Sequence, residues 1–263
     1  MTLSYMSSQG CPYRCGFCAD KRVYQRRWFG LRSQRVIEEI SVLVKEYDLE
    51  AIYFEDNNFF VDKRRVEEIC KGIIDNRMNI KWEAMGHPRQ LAGFDDNFWD
   101  LIRQSGCRRI LIGAESGDQG ILSLIKKDAT IQDTVDFVKK AKTHKIIPIL
   151  STLVGFPSVS KKDLFNTVKL VVATKRIYLE TEWKLFLYTP YPGTDLYDVA
   201  IKYGMKEPKD LLGWSQHTLR DVKTPWVDDR FRALIRHIPF FYFQVAYPSE
   251  FIKRKLNRVR YKF

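Results

Sequence analysis

Apolar runs of strand length alternate with helical patterns over residues 1–203, and this alternation constrains the fold more than any other feature. The strand-like runs are 3–6, 51–54, 80–84, 109–113, 146–155 and 183–188. Between them apolar residues recur at helical spacing, as in 33–47, where Ser33 is the expected N-cap. Strands that alternate with helices of about twelve residues form βα units around a parallel sheet. The sequence therefore predicts an α/β fold, a partial (β/α)6 TIM-like barrel.

The alternation stops after residue 203, which predicts a second region. Residues 230–247 combine helical spacing with an aromatic-rich face, and residues 251–263 carry six Lys/Arg and no acid. We expect a barrel domain over 1–203 and a helical, basic C-terminal extension over 204–263. The extension is interpreted as a helix that caps the barrel. A membrane-surface contact by the basic tail is the alternative.

Composition excludes several classes of protein. Hydrophobic residues make up 45% of the 263 residues, which is enough for a full core. The sequence has no run of eighteen apolar residues and no basic segment followed by an apolar stretch at its start, so we expect a cytoplasmic protein. In that reducing compartment, clustered cysteines bind metal or do chemistry more often than they form disulfides.

The formal charge of +12 is spread unevenly. The segment 21–35 carries six basic residues, which are Lys21, Arg22, Arg26, Arg27, Arg32 and Arg35. Such an excess can serve RNA, an anionic membrane surface or an anionic substrate, or can lie on a solvated loop. The sequence alone leaves these interpretations open.

Three of the five cysteines lie within the eight residues "CPYRCGFC" (11–18), directly after the first strand-like run. They therefore lie at the carboxyl end of the predicted sheet, where barrels of this class place their chemistry. Closed zinc sites use four ligands, whereas Cys70 and Cys107 fall in apolar patterns and are expected to be core residues. Three thiolates without a fourth favour an iron–sulfur cluster with one open iron, and zinc is the alternative.

These features resemble the radical S-adenosylmethionine (radical SAM) superfamily. The segments that carry the resemblance are CxxxCx(aromatic)C at 11–18, "YFEDNNFF" (53–60), "LIGAESGDQGILSLIKKDAT" (111–130), "LVGFP" (153–157) and "YTPYPGTDLY" (188–197). They occur in family order, and the third is most similar to the branch that includes cobalamin-dependent members. The resemblance covers roughly residues 3–200.

The resemblance implies cofactor contacts. Cys11, Cys15 and Cys18 would hold a [4Fe–4S] cluster, whose fourth iron the amino and carboxylate groups of SAM would occupy. The other implied contacts are Phe17 and Gly155 with adenine, Asp56 and Asn57 with the amino group, Glu115 facing SAM, Lys127 with the methionine carboxylate and Ser151 with the ribose. A buried acid at Glu115 needs a cationic partner, which bound SAM would supply. His87 and Arg89, after the third strand, are candidate substrate contacts, and no catalytic side chain is assigned.

The implied reaction is reductive cleavage of SAM to a 5′-deoxyadenosyl radical, which activates a C–H bond of a small-molecule or lipid-like substrate. A low-potential donor such as flavodoxin or ferredoxin would supply the electron. Cobalamin-dependent relatives methylate carbons or build and rearrange rings, but this chain has no Asp-x-His-x-x-Gly motif. We therefore expect cobalamin only through a domain of a longer parent protein. A tRNA-modifying radical SAM enzyme and a non-catalytic metal-binding protein are the alternatives, and nucleic acid is not the favoured partner.

Overall fold

The computed structural model describes residues 1–157, 162–215, 217–218 and 222–238. Its strands are β1 (Thr2–Tyr5), β2 (Ser8–Gly10), β3 (Trp28–Gly30), β4 (Ala51–Phe54), β5 (Lys81–Gly86), β6 (Cys107–Glu115), β7 (Ile147–Val154) and β8 (Glu182–Leu187). Its helices are α1 (Asp20–Val23), α2 (Ser33–Tyr47), α3 (Lys63–Asp75), α4 (Pro88–Gly93), α5 (Asp96–Gln104), α6 (Gln119–Leu124), α7 (Ile131–Thr143), α8 (Lys162–Ile177), α9 (Asp195–Lys202), α10 (Leu211–Ser215) and α11 (Asp229–His237).

Six strands form one sheet in the order β1-β4-β5-β6-β7-β8, and every pairing in it is parallel. Apart from the β2–β3 insertion after β1, strands that follow one another in the chain are neighbours in this sheet, and the helical connections between them allow the parallel pairing. Within the described residues β1 and β8 are the two edges, so the sheet is open rather than closed into a barrel. The predicted α/β fold with six parallel strands is confirmed.

A short antiparallel pair, β2 with β3, was not predicted from the sequence. Its two strands, "SQG" and "WFG", have three residues each and are too short to show an alternation of apolar and polar positions. Residues 11–27 therefore form a loop that connects two hydrogen-bonded strands. The cysteine motif lies in this loop, whose two ends are held together by the pairing of β2 with β3.

One face of the large sheet packs against helices, because alternate strand residues point to opposite faces. On that face Ile52, Trp82 and Ile110 are at most 2% exposed and share a core with the apolar stripes of α2, α3, α5 and α7. Burial of one such side chain contributes about 1.5–3 kcal/mol. Cys70 and Cys107 are fully buried in this core, which confirms that they are core residues.

The start of α2 differs from the sequence expectation. Ser33 is the first residue of the helix, and Arg32 occupies the N-cap position without a side-chain cap hydrogen bond. The N-cap prediction for Ser33 is wrong, because its Oγ instead donates to Glu68 Oε2 at 2.6 Å. The hydroxyl therefore connects α2 to α3 rather than satisfying the first amides of its own helix.

The described part of the C-terminal extension packs against the sheet edge at β8. Phe231 of α11 is buried in one apolar cluster with Leu187 of β8. The boundary after residue 203 stays a prediction. Residues 239–263, which include the basic tail and the end of the aromatic pattern, lie outside the described residues. Within the described ranges, no helix is long and apolar enough to cross a membrane.

Candidate active site

Two glycines shape the loop that carries the cysteine motif. Gly10 has a φ of +83°, and a Cβ there would lie 2.3 Å from the carbonyl oxygen of Arg27, so a side chain at this position would force the backbone apart. The Gly16 amide donates to Ile125 O at 2.8 Å, and the Gly16 carbonyl accepts from Leu196 N at 3.0 Å. The loop is thus fixed between the segment after β6 and the start of α9.

A cavity of about 380 Å³ opens at the carboxyl ends of the strands, and all three motif cysteines line it. Other lining residues that the sequence singled out are Phe17, Asn57, His87, Glu115, Lys127 and Ser151. They come from the cysteine loop, the segment after β4, the end of β5, β6, the segment after α6, and β7. The topology therefore brings distant motifs together at the carboxyl ends of the strands, as parallel βα units do.

Burial raises the pKa of all three motif thiols. The pKa of Cys18 rises to about 11, first through burial and then through the Asp20 carboxylate. For Cys11 and Cys15, the Lys127 ammonium opposes the effect of burial and favours the thiolate. Thiolates are the donors that iron–sulfur clusters require, so the donor set fits such a cluster.

The three thiols belong to separate side chains of the cavity lining. Within the described part of the chain, no group of three or more His, Cys, Asp and Glu side chains is arranged so that it could hold a metal ion. In a four-iron cluster each thiolate binds its own iron, so the ligands stand around a larger body than one ion. All three thiols line the same cavity, so the donors that such a cluster needs are present there.

Glu115 and Lys127 form a buried ion pair at the same cavity. Lys127 Nζ lies 3.1 Å from Glu115 Oε1, and the two side chains are 7% and 8% exposed. Glu115 ends β6 in the left-handed region with a φ of +59°. Gly113 leaves room for the pair, since a Cβ there would lie 2.1 Å from Glu115 Oε1 and 2.8 Å from Lys127 Nζ. The cationic partner that Glu115 requires is therefore supplied by the chain itself, which corrects the expectation that bound SAM alone would provide it.

The structure separates Lys127 from its neighbour Lys126. Burial lowers the pKa of Lys127, but the charge and hydrogen bond of Glu115, with the thiolate forms of Cys15 and Cys11, raise that pKa above its usual value. Lys127 therefore stays cationic inside the cavity. Lys126 is 52% exposed and binds Asp195 at 2.6 Å, on the outer side of the loop.

Asp56 and Asn57 are neighbours in sequence but have different positions. Asp56 is fully buried, and its carboxylate accepts hydrogen bonds from the Ser7 amide and hydroxyl, each at 2.7 Å, and from the Ser8 hydroxyl. It does not line the cavity, so its expected contact with the SAM amino group is replaced by a structural role between β1 and β2. Asn57 lines the cavity and accepts a hydrogen bond from the Gly10 amide at 2.8 Å.

Of the three residues expected near adenine and ribose, two line the cavity. Phe17 and Ser151 do so, but Gly155 does not. The Gly155 carbonyl accepts a hydrogen bond from Trp226 Nε1 at 2.8 Å, and a Cβ at Gly155 would meet Val227 at 3.1 Å. Gly155 therefore contacts the C-terminal extension, and its approach to adenine stays a prediction.

His87 lines the cavity under the ring of Tyr13, with the ring centroids 3.6 Å apart and the planes at 10°. It is 4% exposed, and neither ring nitrogen has a hydrogen-bond partner. Burial, followed by the Lys127 charge, lowers the pKa of His87 to about 2, so the ring is neutral at pH 7. Arg89 is exposed on α4 and does not line the cavity. A substrate contact by His87 stays a prediction, whereas the structure places Arg89 outside the cavity.

Comparison with known proteins identifies the family. Residues 5–171 match the Radical SAM superfamily. The chain belongs to this superfamily. This superfamily is a class of enzymes that use a [4Fe–4S] cluster and SAM.

Individual relatives of this radical SAM chain are longer proteins. A methyltransferase of Pyrococcus horikoshii, itself uncharacterised, is 32% identical over 217 residues, which cover 82% of this chain and 45% of that protein. The anaerobic magnesium-protoporphyrin IX monomethyl ester cyclase of Rubrivivax gelatinosus is 24% identical over 191 residues, covering 72% of this chain and 33% of the cyclase. The chain thus spans less than half the length of these relatives.

Solved structures share the fold. The radical SAM methyltransferase TsrM from Kitasatospora setae, with cobalamin and a [4Fe–4S] cluster bound, matches with a TM-score of 0.66 at 18% identity. The match covers 91% of this chain and 44% of TsrM. At this identity the similarity shows the common architecture of the sheet and its helices.

Several residues that line the cavity were not identified from the sequence. The missed lining residues include Tyr13, Asn58, Met85, Leu111, Phe186 and Tyr188. Strand periodicity could have found Leu111, because it shares a face with Gly113 and Glu115 at alternate positions of β6. No local pattern could have found the role of Asp195, which binds Lys21 at 2.7 Å and so connects the start of α9 to α1.

Asp163 of α8 holds the loop that follows Glu115. Its Oδ1 accepts a hydrogen bond from Ser116 Oγ at 2.5 Å, and Asp163 is 3% exposed. Burial, which is the largest cause, raises the pKa of Asp163 from 3.8 to about 6. Because the folded-state pKa lies above the unfolded value, the folded chain binds this proton more tightly. The free energy of unfolding therefore falls as the pH rises from about 4 to about 6.

We expect Asp163→Asn to remove this loss of stability. The asparagine Oδ1 can still accept the Ser116 hydrogen bond. As the pH rises from about 4 to about 7, the free energy of unfolding of the variant should therefore increase by about 2 kcal/mol relative to that of wild type. Urea denaturation at both pH values measures the difference. Asp75→Asn, at an exposed position of α3, is the control and should show no gain. An identical pH dependence of Asp163→Asn and wild type would contradict the assignment.

Proposed function

We propose that this chain is the part of a radical SAM enzyme that binds the cluster and SAM and activates a C–H bond of a small-molecule or lipid-like substrate. One observation carries the proposal: the three motif thiols and the buried Glu115–Lys127 pair line the same cavity. The thiols are cluster donors. The pair offers one anionic and one cationic group to the zwitterionic end of SAM.

We assign each group of residues a task. Cys11, Cys15 and Cys18 would hold the cluster, with Lys127 favouring the thiolate forms of Cys11 and Cys15. Glu115 would bind the SAM amino group, and Lys127 the carboxylate. The remaining proposed contacts are Phe17 with adenine, Ser151 with the ribose hydroxyls, Asn57 with the amino group and His87 with the substrate.

Held by Cys11, Cys15 and Cys18, the cluster would supply the electron for reductive cleavage of SAM. The task of the chain is to hold the reacting groups in position and to keep water away. Met85, Leu111 and Phe186 give the cavity apolar walls, which disfavour water. The buried ion pair is preorganised, so its charges need little rearrangement when SAM binds.

For the whole protein we propose methyl transfer or ring formation, with cobalamin held by residues outside this chain. The support comes from relatives, which include methyltransferases and a cyclase, and from the cobalamin bound to TsrM. The substrate, the cytoplasmic location and the low-potential electron donor stay predictions.

Anaerobic reconstitution tests the proposal. After loading with iron and sulfide, we expect about four irons per chain. Reduction with dithionite in the presence of SAM should then release 5′-deoxyadenosine. Cys15→Ala should lose both the cluster and the product, because a cluster held by two thiolates is poorly retained. A protein that takes up zinc in place of the cluster, or a cluster that never cleaves SAM, would contradict the proposal.

Cys107→Ala is the matched control for the loss of a thiol. Cys107 is fully buried in the core under the sheet, so its replacement should cost about 1 kcal/mol of unfolding free energy. Iron content and 5′-deoxyadenosine formation should remain at the wild-type level. If both cysteine variants lost the cluster equally, the loss would reflect folding and not ligation.

A further inference from the structure

A basic surface with exposed apolar side chains lies next to the cysteine loop. Arg22, Arg26 and Arg27 are exposed, and Val23 and Phe29 are 67% and 57% exposed. We call these five residues the arginine surface. Exposed apolar side chains beside unpaired charges are a common feature of interaction sites.

The arginine surface is attached directly to the loop that carries the thiols. Arg26 Nε donates to the Pro12 carbonyl at 3.1 Å, between the first two motif cysteines. Gln25 and Arg26 both adopt left-handed backbone conformations, with φ of +50° and +61°. Two successive non-glycine residues in this region are costly, and such strain is found mostly where function requires a particular backbone path.

The charge of the surface is not cancelled by neighbouring groups. Nearby basic residues are neutralised, since Lys21 binds Asp195 at 2.7 Å and Arg35 binds Glu39 at 2.7 Å. Arg22, Arg26 and Arg27, by contrast, form no ion pair with any acidic residue of the described ranges. Uncancelled positive charge on one surface attracts an acidic partner and speeds its association.

We propose that the arginine surface docks a small acidic protein that carries a low-potential one-electron centre. One electron passes from that reduced centre to the cluster, so the centre of the partner is oxidised by one electron and the cluster is reduced by one. This inference rests on the proposed function, which requires a reductant. It adds the place where the reductant binds and the charge that it must carry.

The location favours such a protein over RNA. Electron transfer slows steeply with distance, so a donor must dock near the thiols, and the arginine surface adjoins their loop through Pro12. RNA phosphates would bind the arginines and a base could stack on Phe29, but RNA carries no one-electron centre and so cannot supply the electron that the cluster requires. An acidic protein can contact both the charged and the apolar side chains, as the mixed composition of protein interfaces requires.

The test uses the reconstituted full chain and an acidic flavodoxin as the probe. The variant Arg22→Glu/Arg27→Glu reverses two charges and leaves the Arg26–Pro12 hydrogen bond intact. The control Lys142→Glu/Arg176→Glu reverses two exposed charges in the last turns of α7 and α8. These helix ends lie near the amino ends of the strands, away from the cysteine loop, because the crossover helices run antiparallel to the strands.

We expect the arginine variant to bind flavodoxin at least about tenfold more weakly than wild type at about 50 mM NaCl, and the difference to shrink at about 500 mM because salt screens charges. The control should match wild type. Cluster reduction by reduced flavodoxin should slow in the arginine variant, whereas reduction by dithionite should not change, because this small reductant needs no docking. Thermal melts of both variants test whether they fold.

Three results would overturn the inference. They are unchanged flavodoxin binding in the arginine variant, equal weakening in variant and control, and loss of tRNA binding with flavodoxin binding intact. The last result would assign the surface to nucleic acid. Failure of wild-type protein to cleave SAM with dithionite is a separate result, which would contradict the proposed function and not the docking surface.

Discussion

Lys127→Met is expected to lower the free energy of unfolding by about 3–5 kcal/mol, because it leaves the Glu115 carboxylate buried without its partner. The two side chains are 7% and 8% exposed, so solvent cannot replace the lost ammonium. A loss of this size is a large part of the 5–15 kcal/mol or so that stabilises an ordinary domain. Urea denaturation of the apoprotein measures it. Lys126→Met, at a half-exposed position, is the control and should cost less than about 1 kcal/mol.

A double variant separates the structural role of the pair from its proposed role in binding. Lys127→Met/Glu115→Gln removes both charges, and we expect it to recover most of the lost stability, because the uncompensated charge is gone. Its affinity for SAM should nevertheless be at least about tenfold weaker than that of wild type, since both charged contacts are lost. Isothermal titration with SAM on reconstituted protein measures this. Wild-type affinity in the stable double variant would show that the pair serves only the fold.

The fold could be predicted from the sequence because its main signals are local. Each strand of the large sheet is an apolar run, and each crossover helix has an apolar stripe that lies within a single window of the chain. The β2–β3 pair was missed because it depends on contacts between two three-residue segments, not on a pattern within either one. The Ser33 hydroxyl was misassigned for a similar reason, since Glu68 of another helix competes with its own backbone.

The candidate site could be predicted only where one motif carries the residues. The cysteines stand in eight consecutive positions, and all three line the cavity. Asp56 and Asn57 show the limit of such reasoning. Neighbouring residues after a strand point in different directions, and the sequence does not tell which one reaches the cavity. The structure selects Asn57, because Ser7 and Ser8 occupy the Asp56 carboxylate.

The contacts of Gly155 could not be predicted from the sequence, because its environment comes from far along the chain. The group that fixes its carbonyl is Trp226, 71 residues later, in a region where the βα pattern has ended. Lys127 and Lys126 illustrate the same difficulty at close range. Both follow α6, and only the tertiary structure shows that one is buried beside Glu115 and the other binds Asp195 at the surface.

Gly113→Ala should weaken SAM binding much more than it weakens the fold. A Cβ at this position would lie 2.1 Å from Glu115 Oε1 and 2.8 Å from Lys127 Nζ, so the ion pair has to move. Both atoms are the ends of flexible side chains, and we therefore expect a loss of only about 1 kcal/mol in unfolding free energy. The displaced charges no longer match the amino and carboxylate groups of SAM, so affinity should fall at least about tenfold.

Gly93→Ala is the matched control, because a Cβ there meets nothing within 4 Å. It lies at the end of α4, where alanine should leave stability unchanged or raise it by a few tenths of a kcal/mol. SAM titration and urea denaturation of both variants give the comparison. Equal SAM affinity in Gly113→Ala and Gly93→Ala would mean that the position of the ion pair does not matter for the cofactor. A large loss of stability in Gly113→Ala with normal SAM affinity would assign the pair to the fold alone.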